Sequence, residues 1–178
     1  MRASTIVVSV VLASTILLAA QPAPDKKLQE QLQQLFPKAS SFSAKLPSPP
    51  HFKAYTTDGS GAPTVVGIAF WTTEIEPLER GYDGPIKMLV GMGMTGVLTG
   101  VVVAEHREPY GYFSVDRKEF QTQFAGKDIR DPFKVGEDVD AVSRATITIQ
   151  SATRAIRNGA RRVARQLLAP PGSPAPPG

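Results

Sequence analysis

With 178 residues, 42% of them hydrophobic and 20% charged, the chain has the size and composition of about one globular domain. It contains no cysteine, which excludes disulfides, thiolate zinc sites, iron–sulfur clusters and a cysteine nucleophile, and its two histidines, His51 and His106, stand at no metal-ligand spacing. The net charge of +4 is not gathered into one long basic block, so we expect a solvated surface and no nucleic-acid partner.

The N-terminus has the pattern of a secretory signal. Arg2 precedes the apolar run IVVSVVLASTILLAA, which ends in small residues at Ala20. This run is shorter than the roughly 20 residues that span a bilayer comfortably. Residues 1–20 are therefore predicted to be a signal peptide that exports the folded part to the periplasm. An uncleaved anchor in the inner membrane, formed by residues 5–20, is the alternative.

Residues 21–51 are predicted to form a short helix followed by a proline-rich linker. Leu28, Leu32 and Leu35 recur at helical spacing, which indicates an amphipathic helix. The following stretch LPSPPH contains consecutive prolines, which block helix and interior strand alike. We therefore expect the main fold to begin after this stretch.

From Phe52 the chain becomes a series of short β-branched and aromatic runs. FKAYTT, TVVGIAFWTTEI, IKMLVGM and GVLTGVVVAEH are separated by Gly- and Asp-rich turns such as DGSGAP and GYDGP. This pattern predicts about four antiparallel strands. Trp71 lies inside one of the apolar runs and is expected in the core.

The last third is predicted to be helical. Phe120 and Phe124 stand four residues apart after a possible cap at Ser114, which predicts a short helix. A long amphipathic helix follows, and the tail at residues 169–178 is proline-rich and expected to be disordered. The fold class is thus α+β, a small antiparallel sheet flanked by helices with a C-terminal amphipathic helix. The apolar stripe of this C-terminal helix is Ile149, Ala152, Ile156, Val163 and Leu167. The arginines of the same helix are Arg154, Arg157, Arg161, Arg162 and Arg165.

Hydroxyl residues cluster just before this helix. The unpaired N–H groups and the dipole of a helix start stabilise an anion, and a threonine hydroxyl there can bind a phosphate or be esterified by one. On the residues alone, Thr146 or Thr148 capping the helix is the simpler interpretation. A strand over the alternating residues ATITI is a further alternative.

The segment DAVSRATIT resembles the attachment motif D-x-x-[ST]-G-A-T-x-[ST] of the FMN-binding domain family. Two upstream segments, GYDGPIKMLVGM and VAEHREPYG, resemble the family's G-Y-x-G-P-I and H-x-E-T-P-G segments in the same order. The resemblance covers residues 52–168. The family includes exported subunits of the Rnf and sodium-pumping NADH:quinone reductase complexes, and the likeness is strongest to the exported flavin domain of NosR-type nitrous-oxide-reductase regulators.

The resemblance implies that a flavin transferase joins FMN through its phosphate to Thr146. The chain would then be an exported electron-transfer flavoprotein and not a stand-alone enzyme, with an unidentified redox donor and acceptor associated with the membrane. Tyr110 is a further candidate for the edge of the ring, and a surface pair at a strand end is the alternative for His106 and Glu108. The other residues that match the family's segments, and are expected at the cofactor, are Asp140, Ser143, Ala145, Thr148, Gly81, Tyr82, Gly84, Pro85, His106 and Glu108.

One position departs from the family pattern, because Arg144 stands where the motif has glycine. Glycine permits backbone angles that arginine tolerates poorly. Either this turn needs no such angle, or recognition by the transferase is impaired. The arginine is also a candidate to pair with the flavin phosphate. The alternative function is a flavin-free scaffold domain that docks a partner through its arginine-rich C-terminal helix.

Overall fold

The computed structural model describes residues 24–57 and 61–168. The predicted signal or anchor segment, residues 1–20, and the predicted tail, residues 169–178, lie outside the described residues. Within the described ranges, no helix is both long and apolar enough to cross a membrane.

The centre of the fold is one antiparallel sheet whose strands follow each other in chain order. Each strand pairs with the next along the chain, so the sheet is a simple meander. The β1 strand pairs with β2, so the sheet begins before Phe52, inside the segment expected to be a linker. The strands are β1 (Ser41–Phe42), β2 (Phe52–Thr57), β3 (Pro63–Trp71), β4 (Lys87–Gly93) and β5 (Leu98–Glu105).

Helices cover both faces of this sheet. The side chain of Asp25 caps the first helix by accepting a hydrogen bond from Leu28 N–H at 2.9 Å. A short 3₁₀ turn, Gly111–Phe113, follows the last strand. The helices are α1 (Lys26–Leu35), α2 (Thr72–Ile75), α3 (Lys118–Thr122) and α4 (Thr146–Leu167).

The alternation of side chains along β4 builds two separate cores. Met88, Val90 and Met92 are buried in the core that contains α4, whereas Leu89 between them is buried in the core that contains α1. This is the period of two expected of a strand covered on both faces. The two cores hold α1 and α4 on opposite faces of the sheet.

Close packing of α4 on the sheet depends on Gly159. A Cβ atom at this position would lie 2.8 Å from Cε2 of Phe70, closer than carbon atoms normally approach. The absence of a side chain therefore lets the helix lie directly on the buried Phe70 ring.

The α+β class, the antiparallel sheet and the C-terminal amphipathic helix are confirmed, and Trp71 lies in the core as expected. Ser114 is not a helix cap, because α3 begins after Arg117. The Ser114 hydroxyl donates to the carbonyl of Tyr110 at 2.8 Å and closes the 3₁₀ turn. The predicted domain boundaries stay a prediction.

Candidate functional site

The hydroxyl group of Thr146 is exposed at the first residue of α4. The residue before it, Ala145, is the N-cap and has no side chain that could cap the helix. Among the residues that the structure describes, none forms a side-chain hydrogen bond with Thr146. The capping and strand interpretations are therefore both wrong, and this hydroxyl is available for chemistry at a helix start.

Arg144 adopts a left-handed backbone conformation, with φ of 68°. This region is open to glycine and unfavourable for residues with a Cβ atom. The interpretation that this turn needs no such angle is therefore wrong. The arginine thus has a conformation that glycine adopts readily, and its side chain is exposed and forms no ion pair within the described part of the chain.

An open cleft of about 490 Å³ lies beside Thr146. Its walls are largely aromatic and apolar, and large parts of Tyr82 (70%), Ile147 (54%) and Tyr110 (46%) are exposed. Clefts of this volume and character are typical of cofactor sites. The lining residues are Tyr82, Pro109, Tyr110, Arg144, Ala145, Thr146, Ile147 and Thr148.

The carboxylate of Glu108 joins the segments that form this cleft. It is only 6% exposed. Its Oε1 accepts a hydrogen bond from Asp83 N–H at 2.9 Å, and its Oε2 accepts one from Tyr82 N–H at 3.0 Å and one from the hydroxyl of Thr148. The surface-pair interpretation is therefore wrong for Glu108, whose side chain supports the cleft from inside.

His106 is held in one orientation by two hydrogen bonds. Its Nδ1 accepts from Glu108 N–H at 3.1 Å, so Nε2 carries the proton and donates to Oδ1 of Asp116 at 2.8 Å. Gly111 packs against the ring, where a Cβ atom would lie 2.1 Å from Cε1. Neither His106 nor Glu108 lines the Thr146 cleft. The His106 ring binds the N–H of Glu108, and the Glu108 carboxylate binds the N–H groups of Tyr82 and Asp83.

The remaining motif residues do not line the Thr146 cleft. Asp140 and Ser143 border a neighbouring cleft of about 330 Å³, and Asp140 N–H donates to Gln123 Oε1 at 2.8 Å. Gly81 lies against the Glu108 carboxylate, where a Cβ atom would approach Oε1 to 2.5 Å. Gly84 turns the chain with φ of 118°, and Pro85 borders a third cleft with His106. Within the described ranges, no group of three or more His, Asp or Glu residues could hold a metal ion.

Two lining residues, Pro109 and Ile147, were not predicted. Ile147 lies off the apolar stripe of α4 that begins at Ile149, and an apolar side chain on the outer face of a helix start is a usable signal of a ligand contact. Pro109 follows Glu108 directly, so its position depends on the contacts of that carboxylate and had no signal of its own.

The arginines of α4 mostly bind within the domain. Arg154 pairs with Glu79 at 2.6 Å and Arg162 with Glu76 at 3.1 Å. Arg161 donates to two backbone carbonyls at 2.7 Å each, and burial, followed by the charges of its neighbouring arginines, lowers its pKa. Three of the five arginines thus bind other segments of this chain, while the Arg154 and Arg162 side chains stay 45% and 49% exposed.

Residues 81–161 match the model of the FMN-binding domain. This chain contains an FMN-binding domain. The match includes Tyr82, Glu108 and the start of α4, and it confirms both the predicted family and FMN as the cofactor. The finer resemblance to NosR-type regulators stays a prediction.

Three curated relatives are similar to this chain over part of its length. One component of the ion-translocating oxidoreductase complex of Vibrio atlanticus (strain LGP32) is 30% identical over a 120-residue alignment, which covers 62% of this chain and 54% of the relative. The corresponding component from Vibrio vulnificus (strain YJ016) is 30% identical over 59% of this chain and 52% of the relative. The corresponding component from Shewanella baltica (strain OS223) is 30% identical over 59% of this chain and 51% of the relative. The chain therefore spans about half the length of the curated relatives it matches.

The residues of the Thr146 cleft fit the two parts of FMN. A phosphate needs hydrogen-bond donors and positive charge, which the unpaired N–H groups of the first turn of α4 and the Arg144 side chain supply. A flat aromatic ring needs apolar walls, which Tyr82, Tyr110 and Ile147 supply. The hydrogen-bond donors for a phosphate and the apolar walls for a ring lie side by side in one cleft.

Proposed function

We propose that this chain is an exported electron-transfer flavoprotein in which FMN is held by a phosphoester to Thr146. The observation that carries the proposal is the exposed Thr146 hydroxyl, which begins α4, has no hydrogen-bond partner among the described residues and borders the cleft. Thr148, the other hydroxyl of the first turn, is buried and bound to Glu108.

The electrostatics of the helix start suit a phosphodiester. Such an ester keeps one negative charge, and the N-terminus of a helix carries about half a positive charge from its aligned peptide dipoles. The 22 residues of α4 are ample to develop this dipole. Arg144 adds a full positive charge two residues before the ester oxygen.

The backbone at Arg144 supports retained attachment. The substitution of the family's glycine puts recognition in doubt only if it changes the shape of the turn. With φ of 68°, Arg144 keeps the left-handed turn that glycine would give. We therefore expect the transferase to meet the usual backbone shape, with an additional guanidinium at the rim of the cleft.

The attachment balances as a simple transfer. The Thr146 Oγ1 forms a bond to the phosphorus of the FMN unit of a flavin dinucleotide, and the pyrophosphate bond of that donor breaks. A nucleoside monophosphate leaves with the proton of the hydroxyl, and no electron is transferred. The flavin transferase implied by the family resemblance would supply the donor and the catalytic groups.

When bound, FMN supplies chemistry in one- or two-electron steps, and the chain supplies placement and surroundings. Tyr82, Tyr110 and Ile147 would exclude water from parts of the ring, and the exposed side of the cleft would let a redox partner approach. Since the curated relatives are components of an ion-translocating oxidoreductase complex, we propose that the donor and acceptor of this domain are associated with the membrane.

Intact-mass analysis tests the attachment. The chain is expressed with and without a flavin transferase, and the exported protein is weighed under denaturing conditions. We expect a gain of one FMN less one water that needs the transferase and is lost in Thr146→Ala. Thr122→Ala, which removes an exposed threonine on α3, serves as the matched control and should keep the gain. An unmodified wild-type mass with active transferase present would refute the covalent link.

A further inference from the structure

We propose that Glu108 and Thr148 are positioning residues that hold the Tyr82 turn, residues 81–84, against the start of α4 and so fix Tyr82 relative to the flavin. The inference rests on the placement of FMN beside Thr146 proposed above. It assigns Thr148, the second threonine of the motif, a role other than binding the phosphate.

Among the described residues, three hydrogen-bond donors bind the Glu108 carboxylate, and all three come from distant segments of the chain. Two come from the backbone N–H groups of Tyr82 and Asp83, and the third from the side chain of Thr148 in the first turn of α4. Within the described ranges this buried carboxylate forms no ion pair with Lys or Arg. The buried oxygens of this carboxylate therefore depend on these three donors, so each donor matters.

Thr146 and Thr148 face opposite ways from the same helix turn. Two residues along an α-helix rotate the side-chain direction by about 200°. Thr146 is accordingly exposed, whereas Thr148 is 3% exposed and its hydroxyl lies on the Glu108 carboxylate. The two threonines of the motif thus have separate tasks, one to carry the cofactor and one to hold the wall of its cleft.

The position of Tyr82 depends on this junction more than on its own packing. Its side chain is 70% exposed, so few side-chain contacts restrain the ring. Its backbone N–H is bound to Glu108, and Gly81 before it leaves room for the carboxylate to approach. Loss of one donor should therefore loosen the turn and let the tyrosine ring move away from the cleft.

The first test needs no flavin. Amide hydrogen exchange of Tyr82 and Asp83 is measured by NMR in the 178-residue chain with Thr146→Ala, which cannot carry the ester. Adding Thr148→Val removes the hydroxyl with little change of volume and should speed exchange of both amides by about tenfold. The control is Thr153→Val, because Thr153 is buried in the same helix and its hydroxyl has no hydrogen-bond partner among the described residues. This control should leave both amides unchanged, and unchanged exchange in Thr148→Val overturns the proposal.

The second test uses the flavin on the Thr146-bearing chain. A tyrosine close to a flavin quenches its fluorescence, so Thr148→Val should raise the fluorescence several-fold and Thr148→Ser, which keeps the hydroxyl, should restore quenching. If Thr148 acts through Tyr82, the double variant Tyr82→Ala with Thr148→Val should match Tyr82→Ala alone. Additive effects, or fluorescence unchanged by Thr148→Val, overturn the positioning role.

These tests separate the two proposals. A chain without the FMN mass gain refutes the link to Thr146, while the exchange of Tyr82 and Asp83 still reports on the junction. Thr148→Ala is measured beside Thr148→Val in case the branched apolar group prevents folding near the carboxylate, and the same faster exchange is expected. Slow exchange in a folded Thr148→Ala chain counts against the junction.

Discussion

Replacing Arg144 with glycine should make the protein more stable. A residue with a Cβ atom pays about 1–2 kcal/mol to adopt the left-handed conformation that Arg144 has at φ of 68°. Glycine avoids this cost but loses more backbone entropy on folding, about 0.5–1 kcal/mol relative to alanine. The balance predicts that Arg144→Gly raises the free energy of unfolding by about 0.5–1 kcal/mol.

Urea denaturation of three variants separates the backbone effect from the side-chain effect. Arg144→Ala removes the guanidinium but keeps the strain, so Arg144→Gly should exceed it in free energy of unfolding by about 0.5–1 kcal/mol. Gly136→Ala is the reverse change, since Gly136 has φ of 89° and open space around the position of a Cβ atom. This substitution should lower the free energy of unfolding by about 1 kcal/mol. If Arg144→Gly is no more stable than Arg144→Ala, the strain argument is wrong, and with it the reason to expect a normal turn shape at the motif.

Three further predictions concern packing, pH and export. Gly159→Ala should lower the free energy of unfolding by about 1–3 kcal/mol in the same urea assay, because the added Cβ atom would lie 2.8 Å from the Phe70 ring. An unchanged midpoint of urea unfolding would show that α4 can shift to make room. Hydrogen bonds from the Arg130 side chain and backbone, followed by the attraction of the Arg130 charge, lower the pKa of Asp128 from 3.8 to about 2. The ionised Asp128 therefore contributes its full stabilisation above pH 3.8, and this stabilisation is lost as the pH falls through about 2. An NMR titration of the Asp128 carboxyl should therefore have a midpoint near 2 that moves up toward 3.8 in Arg130→Ala. Deletion of residues 1–20 should leave the protein in the cytoplasm, and its recovery from the periplasm by cell fractionation would contradict the predicted signal.

Local pattern was enough to predict the elements that organise the fold. The stripe that begins at Ile149 predicted α4, and the β-branched runs after Phe52 predicted the antiparallel sheet. Both signals are periodicities of burial, which a single sequence displays directly. The position of Thr146 at the helix start followed from them and from the family resemblance.

Elements fixed by distant contacts were not predictable in the same way. The run TVVGIAFWTTEI has the pattern of one strand, but its end is the short helix α2. The Thr72 hydroxyl holds this turn by donating to the carbonyl of Ile86 and accepting from the N–H of Met88, each at 3.0 Å. These partners lie 14 and 16 residues away, and no local propensity reports them.

In the candidate site, too, the motif identified some residues, whereas distant contacts place the others. The chemical residues, Thr146 and Arg144, were visible in the motif, whereas the support of the cleft was not. Glu108 looked equally like a surface residue because its donors, Tyr82, Asp83 and Thr148, are 25 to 40 residues away in sequence. A carboxylate becomes a buried structural group only when the fold brings such donors together, which is information that the sequence of one segment lacks.

The most direct test of the account is to locate the flavin within the chain. The protein is denatured, freed of unbound cofactor, digested and sequenced by tandem mass spectrometry. The account predicts that the peptide containing Thr146 carries FMN through its phosphate and that fragmentation places the added mass on that residue alone. Flavin that is washed away by denaturation, or an added mass on Ser143 or Thr148, would contradict the claim that the exposed hydroxyl at the start of α4 holds the cofactor.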